Sequence, residues 1–224
     1  MDPRPHDLLR LSPEALEPPD HAPAWAVREL TRERPWVVVR RTVAEPGTVA
    51  VGVRGSVRQE RWAFAVHLQS VRERVSPEAL ARGRYWRCVG THRRELPALA
   101  VLEAVAGLLE GRGLAWGPGG SVGYELASGL PAVKESSDLD LILRRPEPLP
   151  RTTAREILED LASLPARVDA QIDTGTGSVA LAEWAAGREV LLRCAGGPVL
   201  TEDPWHGLAS ARAPDDIFAG GLTS

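Results

Sequence analysis

The sequence predicts an α/β (α+β) protein in which a mixed sheet with flanking helices follows a smaller β-rich N-terminal part. Two observations carry this reading. Short runs of β-branched and aromatic residues, separated by turn residues, fill the first third of the chain, and helix-like and strand-like patterns alternate after about residue 97. The composition agrees: 224 residues, 43% hydrophobic and 25% charged, are ordinary for a soluble globular chain and enough for one large domain or two small ones. We divide the chain into a β-rich N-terminal domain at 1–80, a mixed-sheet domain at 81–210 and a C-terminal tail at 211–224, with the boundary in a linker over about 76–95.

The elements follow in order. A short helix is expected near Trp25–Arg32, amid prolines. "WVVVRR" (36–41), "TVAVGVRG" (48–55) and "RWAFAVHL" (61–68) read as strands. "SPEAL" (76–80) opens a helix, with Ser76 as N-cap and Pro77 in the first turn. "PALAVLEAVAGLLEGRG" (97–113) places Leu99, Leu102, Ala106 and Leu109 on one helical stripe, and Gly111 and Gly113 stop it. "LAW" is a short strand before "GPGGSVGYELASG", and "DLDLIL" is a strand. "TTAREILEDLASL" (152–164) is a helix with Thr153 and Glu156 as a capping box. "RVDAQID" (167–173) and "EVLLRC" are strands, and "GSVALAEWAAG" between them reads as a short helix.

Charge and cysteine usage bound the function. Net charge is −3, which argues against a general nucleic-acid binder. The distribution is uneven: residues 1–95 carry 17 arginines against 12 acids, a net of +5, and residues 96–224 carry 10 basic against 18 acidic residues, a net of −8. A basic front suits a polyanionic ligand or an acidic protein; an acidic back suits metal ions. Lys134 is the sole lysine. Cys88 and Cys194 have no metal-ligand spacing and read as reduced core residues. No signal peptide and no apolar run long enough to span a membrane is seen, so we expect a cytoplasmic protein with no membrane or nucleic-acid partner.

The chemistry concentrates in three places. "SDLDLILRR" sets Asp138 and Asp140 two apart in an otherwise apolar strand, so both carboxylates share one face. Unpaired, they would repel each other and carry a large desolvation cost, so a cation is expected between them. Gly119–Gly120–Ser121 is a flexible turn opening a helix, which can offer N–H groups and a hydroxyl to a phosphate. In "RVDAQID", Asp169, Gln171 and Asp173 share a face. Two carboxylates on one strand and a third on its neighbour can hold two Mg²⁺ ions, with Mn²⁺ as an alternative, for phosphoryl or nucleotidyl transfer. Either Asp169 or Asp173 can be the third; Asp169 is preferred because it lies nearer the middle of the strand.

"GGS", then "DLDL", then a strand with a central acid resembles the polymerase-β type of nucleotidyltransferase. A closer resemblance runs the length of the chain, through "RPHDLL" (4–9), "VAVGVRG" (49–55), "GSVGYELASGL" (120–130), "SDLDLIL" (137–143), "RVDAQIDTGTGSVALAEWA" (167–185) and "GPVLTEDPW" (197–205). These pieces are similar to the phosphoribosyl-dephospho-CoA transferases of MdcG type, the holo-acyl-carrier-protein synthases of malonate decarboxylase. The resemblance implies a nucleotidyltransferase-like fold. It also implies transfer of triphosphoribosyl-dephospho-CoA to a serine of the apo acyl-carrier subunit of malonate decarboxylase, with release of diphosphate. Asp138, Asp140 and Asp169 would then be the catalytic and metal-binding residues, with Asp169 also accepting the hydroxyl proton. Gly120 and Ser121 would hold the leaving diphosphate. Lys134 or Arg144 would neutralise charge, with no motif fixing either. Sixteen residues separate Ser121 from Asp138, more than the superfamily commonly has, which leaves room for a longer turn around "SGLPAVKESS".

Other readings stay open. The donor could be ATP or another nucleotide, the acceptor the related carrier of citrate lyase, or the chain a binding module without chemistry. The N-terminal domain would recognise either the carrier or the CoA end. Arg54, Arg58 and Arg61 form either a basic docking patch or a solvated strand face; if they dock an acidic carrier, charge reversal there raises the KM for carrier. Gly55–Ser56 reads as a hairpin turn, the histidines as structural, Trp184 and Trp205 as packing residues, and the arginines of "RRE" (93–95) as solvated.

Overall fold

The computed structural model describes residues 2–15, 18–55 and 59–206. Ser56, Arg58 and the tail expected at 211–224 therefore lie outside the described residues. The chain opens with strand β1 (Leu8–Leu11) and helix α1 (Ala24–Leu30), followed by β2 (Trp36–Val39), β3 (Thr48–Arg54), β4 (Arg61–His67) and β5 (Val71–Val75). These strands form an antiparallel sheet in the order β4-β3-β2-β1-β5.

The two-residue period sorts this sheet's side chains. Leu9, Leu11, Val37, Val39, Val49, Val51 and Val53 face α1 and bury Ala26 and Leu30 in a small core. Leu8, Trp36 and Val75, on the opposite face, join the main core of the rest of the chain. That second face is covered under β1, β2 and β5, whereas on β4 Arg61, Ala63 and Ala65 remain exposed. The uncovered part of the sheet becomes one wall of a cleft.

The segment from 76 to 95 is packed rather than an open linker. Helix α2 (Pro77–Arg82) starts where expected, with the Ser76 side chain accepting from the Ala79 N–H; such a cap contributes about 1 kcal/mol. Leu80, Ala81 and Trp86 are buried in the main core. Short helices α3 (Thr91–Arg94) and α4 (Pro97–Ala100) lead to α5 (Leu102–Glu110). The expected continuous helix thus bends at Val101, whose backbone (φ −83°, ψ −8°) departs from α geometry. Its stripe is intact, with Leu99, Leu102, Ala106 and Leu109 all buried.

Then follow β6 (Ala115–Pro118), α6 (Gly120–Ser128), β7 (Leu139–Arg144), α7 (Arg151–Ala162), β8 (Val168–Asp173), β9 (Ser178–Ala180), α8 (Leu181–Ala186), β10 (Val190–Cys194) and β11 (Gly197–Thr201). The second sheet runs β11-β10-β9-β8-β7-β6. β7 and β8 are parallel, joined by the α7 crossover, and the other pairs are antiparallel. Two sheets with flanking helices make an α+β fold consistent with a nucleotidyltransferase. Among the described residues no helix is long and apolar enough to cross a membrane.

Three local readings are corrected. Helix α7 begins at Arg151 with Pro150 as N-cap and no side-chain cap, so Thr153 lies inside the helix and no capping box forms. Arg151 fixes this earlier start by lying 4.0 Å over the Trp184 ring and donating to the Arg188 carbonyl at 2.8 Å. The helix read in "GSVALAEWAAG" starts only at Leu181; the Thr174–Gly177 turn, with Gly175 at φ +90°, folds residues 178–180 back beside β8 as a strand. Cys88 is exposed and Cys194 half-buried, so neither is a core residue, although both are free thiols. Trp184 and Trp205 do pack, edge to face at 5.0 Å, with their indole N–H groups on the Leu149 and Arg145 carbonyls.

Candidate active site

The parallel pair β7/β8 explains the paired acids. Asp140 stands opposite Asp169, Ile142 opposite Gln171, and Arg144 opposite Asp173. Neighbouring residues in register share a face, so these six form one row. Leu139, Leu141, Leu143, Ala170 and Ile172 point the other way into the main core. The apolar residues anchor the strands, and the polar row is left for the cleft and the contact with the N-terminal sheet.

The Gly-Gly turn meets this row directly. Pro118, at the end of β6, pairs with Leu141, and the Gly119 N–H donates to the Asp140 carbonyl at 2.8 Å. Gly120 sits at φ +54°, and a Cβ there would overlap the Asp140 carboxylate. Only glycine permits both the left-handed backbone and this approach. Helix α6 starts at that point, so its unpaired N–H groups lie beside the carboxylate.

The two sheets face each other across a cleft of about 540 Å³. One wall carries Gly119, Gly120, Tyr124, Asp140, Ile142 and Gln171; the other carries Arg40, Gly52, Arg54, Arg61 and Ala63, with His6 and Trp36 where they meet. Burial pushes the Asp140 carboxyl above its ordinary value, Asp169 and Asp138 push it further, and Arg54 and Arg61 across the cleft pull it back. Asp169 is exposed at the start of β8. Asp138 precedes β7 and lies 3.7 Å from Arg167. Among the described residues no group of three or more His, Cys, Asp or Glu is arranged to hold a metal ion. Asp140 and Asp169 come together as a pair, with Asp138 turned towards Arg167. The pair fits a cation: a half-buried carboxyl pushed up by a like charge is the state that a bound cation relieves.

Both domains of one family match this chain. The family model for the phosphoribosyl-dephospho-CoA transferase MdcG N-terminal domain matches residues 4–77, and that for the MdcG C-terminal domain residues 79–204. The chain belongs to the MdcG phosphoribosyl-dephospho-CoA transferase family. Proteins named phosphoribosyl-dephospho-CoA transferase are 45% identical in Pseudomonas putida (strain GB-1), over 91% of this chain and 95% of that protein, and 48% identical in Pseudomonas syringae pv. tomato, over 90% and 93%. One from Azotobacter vinelandii is 45% identical over 93% of this chain and 97% of its own length. No solved structure matches the chain at a significant level. As a member of this family the chain is a transferase enzyme.

The remaining sequence-predicted residues are distributed unevenly. Ser121 lies in the first turn of α6, half-buried, beside the cleft wall rather than in it. Lys134 is exposed in the loop after α6, its backbone N–H on Ser137 Oγ, and does not line the cleft. Asp173 is buried and paired with Arg41 at 2.8 Å and with Arg144. Burial alone would raise its carboxyl, but Arg41, Arg144 and the Gly175 N–H outweigh that and hold it below the ordinary value. Arg144 is therefore committed to an ion cluster with Asp173, Glu78 (3.1 Å) and Asp7 (3.6 Å), not to cleft chemistry.

Sequence reasoning missed this cluster, which joins the two sheets. Asp7 is fully buried and also pairs with Arg74 at 2.6 Å, and Glu78 pairs with Arg4 at 2.8 Å. His6, in the left-handed region at φ +73°, lines the cleft beside it. Burial, Arg144 and Arg41 lower its pKa to about 4, so the imidazole is neutral at pH 7. A second omission is Arg93, which is not solvated. It pairs with buried Glu125 through two hydrogen bonds of 2.9 and 2.6 Å and donates to the Val133 carbonyl. Glu125 also accepts from the Ala132 and Val133 N–H groups, which pins the long turn between α6 and β7.

Proposed function

We propose that this enzyme transfers the triphosphoribosyl-dephospho-CoA group to a serine of the apo acyl-carrier subunit of malonate decarboxylase and releases diphosphate. The observation that carries this is Asp140, in register with Asp169 and set against the Gly119–Gly120 turn in an arginine-walled cleft, in a chain of this family. The serine oxygen attacks the phosphorus attached to the ribose. A new P–O bond forms, the bond to the next phosphate breaks, and diphosphate leaves with the electron pair. Asp169, exposed at the start of its strand, is placed to meet an incoming protein hydroxyl and take its proton.

Asp140, deeper and fixed by the glycine turn, orients the reacting phosphate side of the site. Gly120 and Ser121 offer the first N–H groups of α6 to the leaving diphosphate. Mg²⁺ or Mn²⁺ held by Asp140 and Asp169, with Asp138 joining them by leaving its 3.7 Å contact with Arg167, would polarise the phosphoryl group and neutralise charge developing in the transition state. We place the reaction in the cytoplasm, where the free thiols of Cys88 and Cys194 persist.

Diphosphate release tests the choice of donor. With Mg²⁺, apo carrier and triphosphoribosyl-dephospho-CoA, release is expected in proportion to carrier; with ATP in its place, none is expected. Release from ATP that does not require the carrier would overturn this reading in favour of a nucleotide-using transferase.

A further inference from the structure

The side of the N-terminal sheet that faces the cleft is unusual for a sheet surface. On β3, Val49, Val51 and Val53 point to the small core, so Ala50, Gly52 and Arg54 point the other way. On β4 their partners are Ala65, Ala63 and Arg61. The middle of this face thus carries almost no side chain, and arginines stand at its end. Arg40 closes one side: a Cβ on Gly52 would lie 3.5 Å from Arg40 Cδ. Neighbouring Arg41 is committed to Asp173. Arg40 and Arg61, by contrast, make no salt bridge among the described residues. Arg54 and Arg61 both act on Asp140 across the cleft.

We propose that this face binds the polyphosphate donor: Arg40, Arg54 and Arg61 take phosphate oxygens, and the bed of Gly52 and Ala63 takes the extended organic part of the molecule. The proposal rests on the transfer reaction proposed above and names the half of the site that holds its donor. The cleft lining holds three arginines and one carboxylate, Asp140; a small polyanion is the ligand that such a lining favours. Guanidinium forks match phosphate oxygens two at a time. The cleft volume of about 540 Å³ suits a cofactor-sized molecule. A protein partner needs a patch of roughly 800 Å² per side, for which a walled cleft is the wrong shape. The arginines therefore serve the donor, and the carrier-docking role that the basic front half also allowed falls to another surface.

Calorimetric titration of metal-free protein, in EDTA, with inorganic tripolyphosphate and separately with dephospho-CoA tests this. Arg61→Ala and Arg40→Ala should each weaken tripolyphosphate binding by about tenfold, the loss expected for a charge-assisted hydrogen bond. Ala63→Leu, at an exposed position where folding is not at stake, should weaken dephospho-CoA by at least about tenfold, by filling the bed, and leave tripolyphosphate unchanged. In turnover, the arginine variants should raise the KM for donor and leave the KM for carrier alone. Unchanged tripolyphosphate affinity in both arginine variants overturns the proposal, as does a raised KM for carrier with unchanged donor binding, which would assign the face to carrier docking. If no transfer occurs with any carrier but tripolyphosphate binding still falls in the variants, the transfer reading fails and the polyphosphate site stands.

Discussion

Asp140→Asn is expected to remove transfer activity by about a thousandfold or more while leaving the protein at least as stable as the parent. The activity loss follows from its position. Asp140 lies between the glycine turn and Asp169, so the variant loses the negative charge that would hold a cation beside the reacting phosphate; about 4 kcal/mol of lost transition-state stabilisation is about a thousandfold. The stability change has the opposite sign from a usual buried-acid substitution. Burial and Asp169 hold this carboxyl above its ordinary value. A carboxyl whose folded pKa is raised destabilises the fold at neutral pH, and the penalty is relieved as pH falls through the raised value towards the unfolded one. Asparagine keeps the shape and removes the penalty, so the melting temperature at pH 7 should rise in EDTA. Added Mg²⁺ should raise the melting temperature of the parent and not that of the variant. A large fall in melting temperature for Asp140→Asn would show that this carboxylate is a structural ion-pair member instead.

Arg144→Met should be the most destabilising of the polar substitutions. The guanidinium is 8% exposed and faces Asp7, Glu78 and Asp173, which are 0%, 12% and 7% exposed. Methionine fills the length but leaves these acids short of a cation. Breaking a buried pair in this way costs about 3–5 kcal/mol, read as a shift in urea unfolding at pH 7. Adding Asp173→Asn should recover part of the loss, because the two residues share one interaction.

The acid limb checks the same cluster. Asp173 is held below its ordinary value, so its stabilisation is present above the unfolded carboxylate pKa and is lost as pH falls through the lowered one. Asp7, pushed up by burial, works against the fold at neutral pH and ceases to do so as pH falls. Arg144→Met should bring the Asp173 loss to higher pH. A cost below about 1 kcal/mol would mean that the cluster behaves like a solvated surface pair.

Much of the site was legible because its signal is local. "SDLDLIL" and "RVDAQID" each carry a period of two, and the parallel β7/β8 register then sets Asp140 beside Asp169. The Gly-Gly turn was legible for the same reason, since glycine marks a place where a side chain cannot fit. Of the strands missed, two have a diluted pattern. β1 is four residues long and follows prolines, and β5 reads "VRERV", with charges that pair across the sheet, such as Glu73 with Arg10 at 2.8 Å. The ion cluster was out of reach because Asp7, Glu78, Arg144 and Asp173 lie far apart in the chain and meet only when the sheets dock. Asp173 looked like a possible catalytic acid because spacing alone cannot tell an acid at the cleft from one already paired.

The most direct test is the mass of the apo acyl-carrier subunit after incubation with Mg²⁺, triphosphoribosyl-dephospho-CoA and the enzyme. The account predicts a gain equal to the donor less diphosphate, on one serine, with parent enzyme and not with Asp138→Ala or Asp140→Asn. No gain with folded parent enzyme, or an undiminished gain with Asp140→Asn, would contradict it.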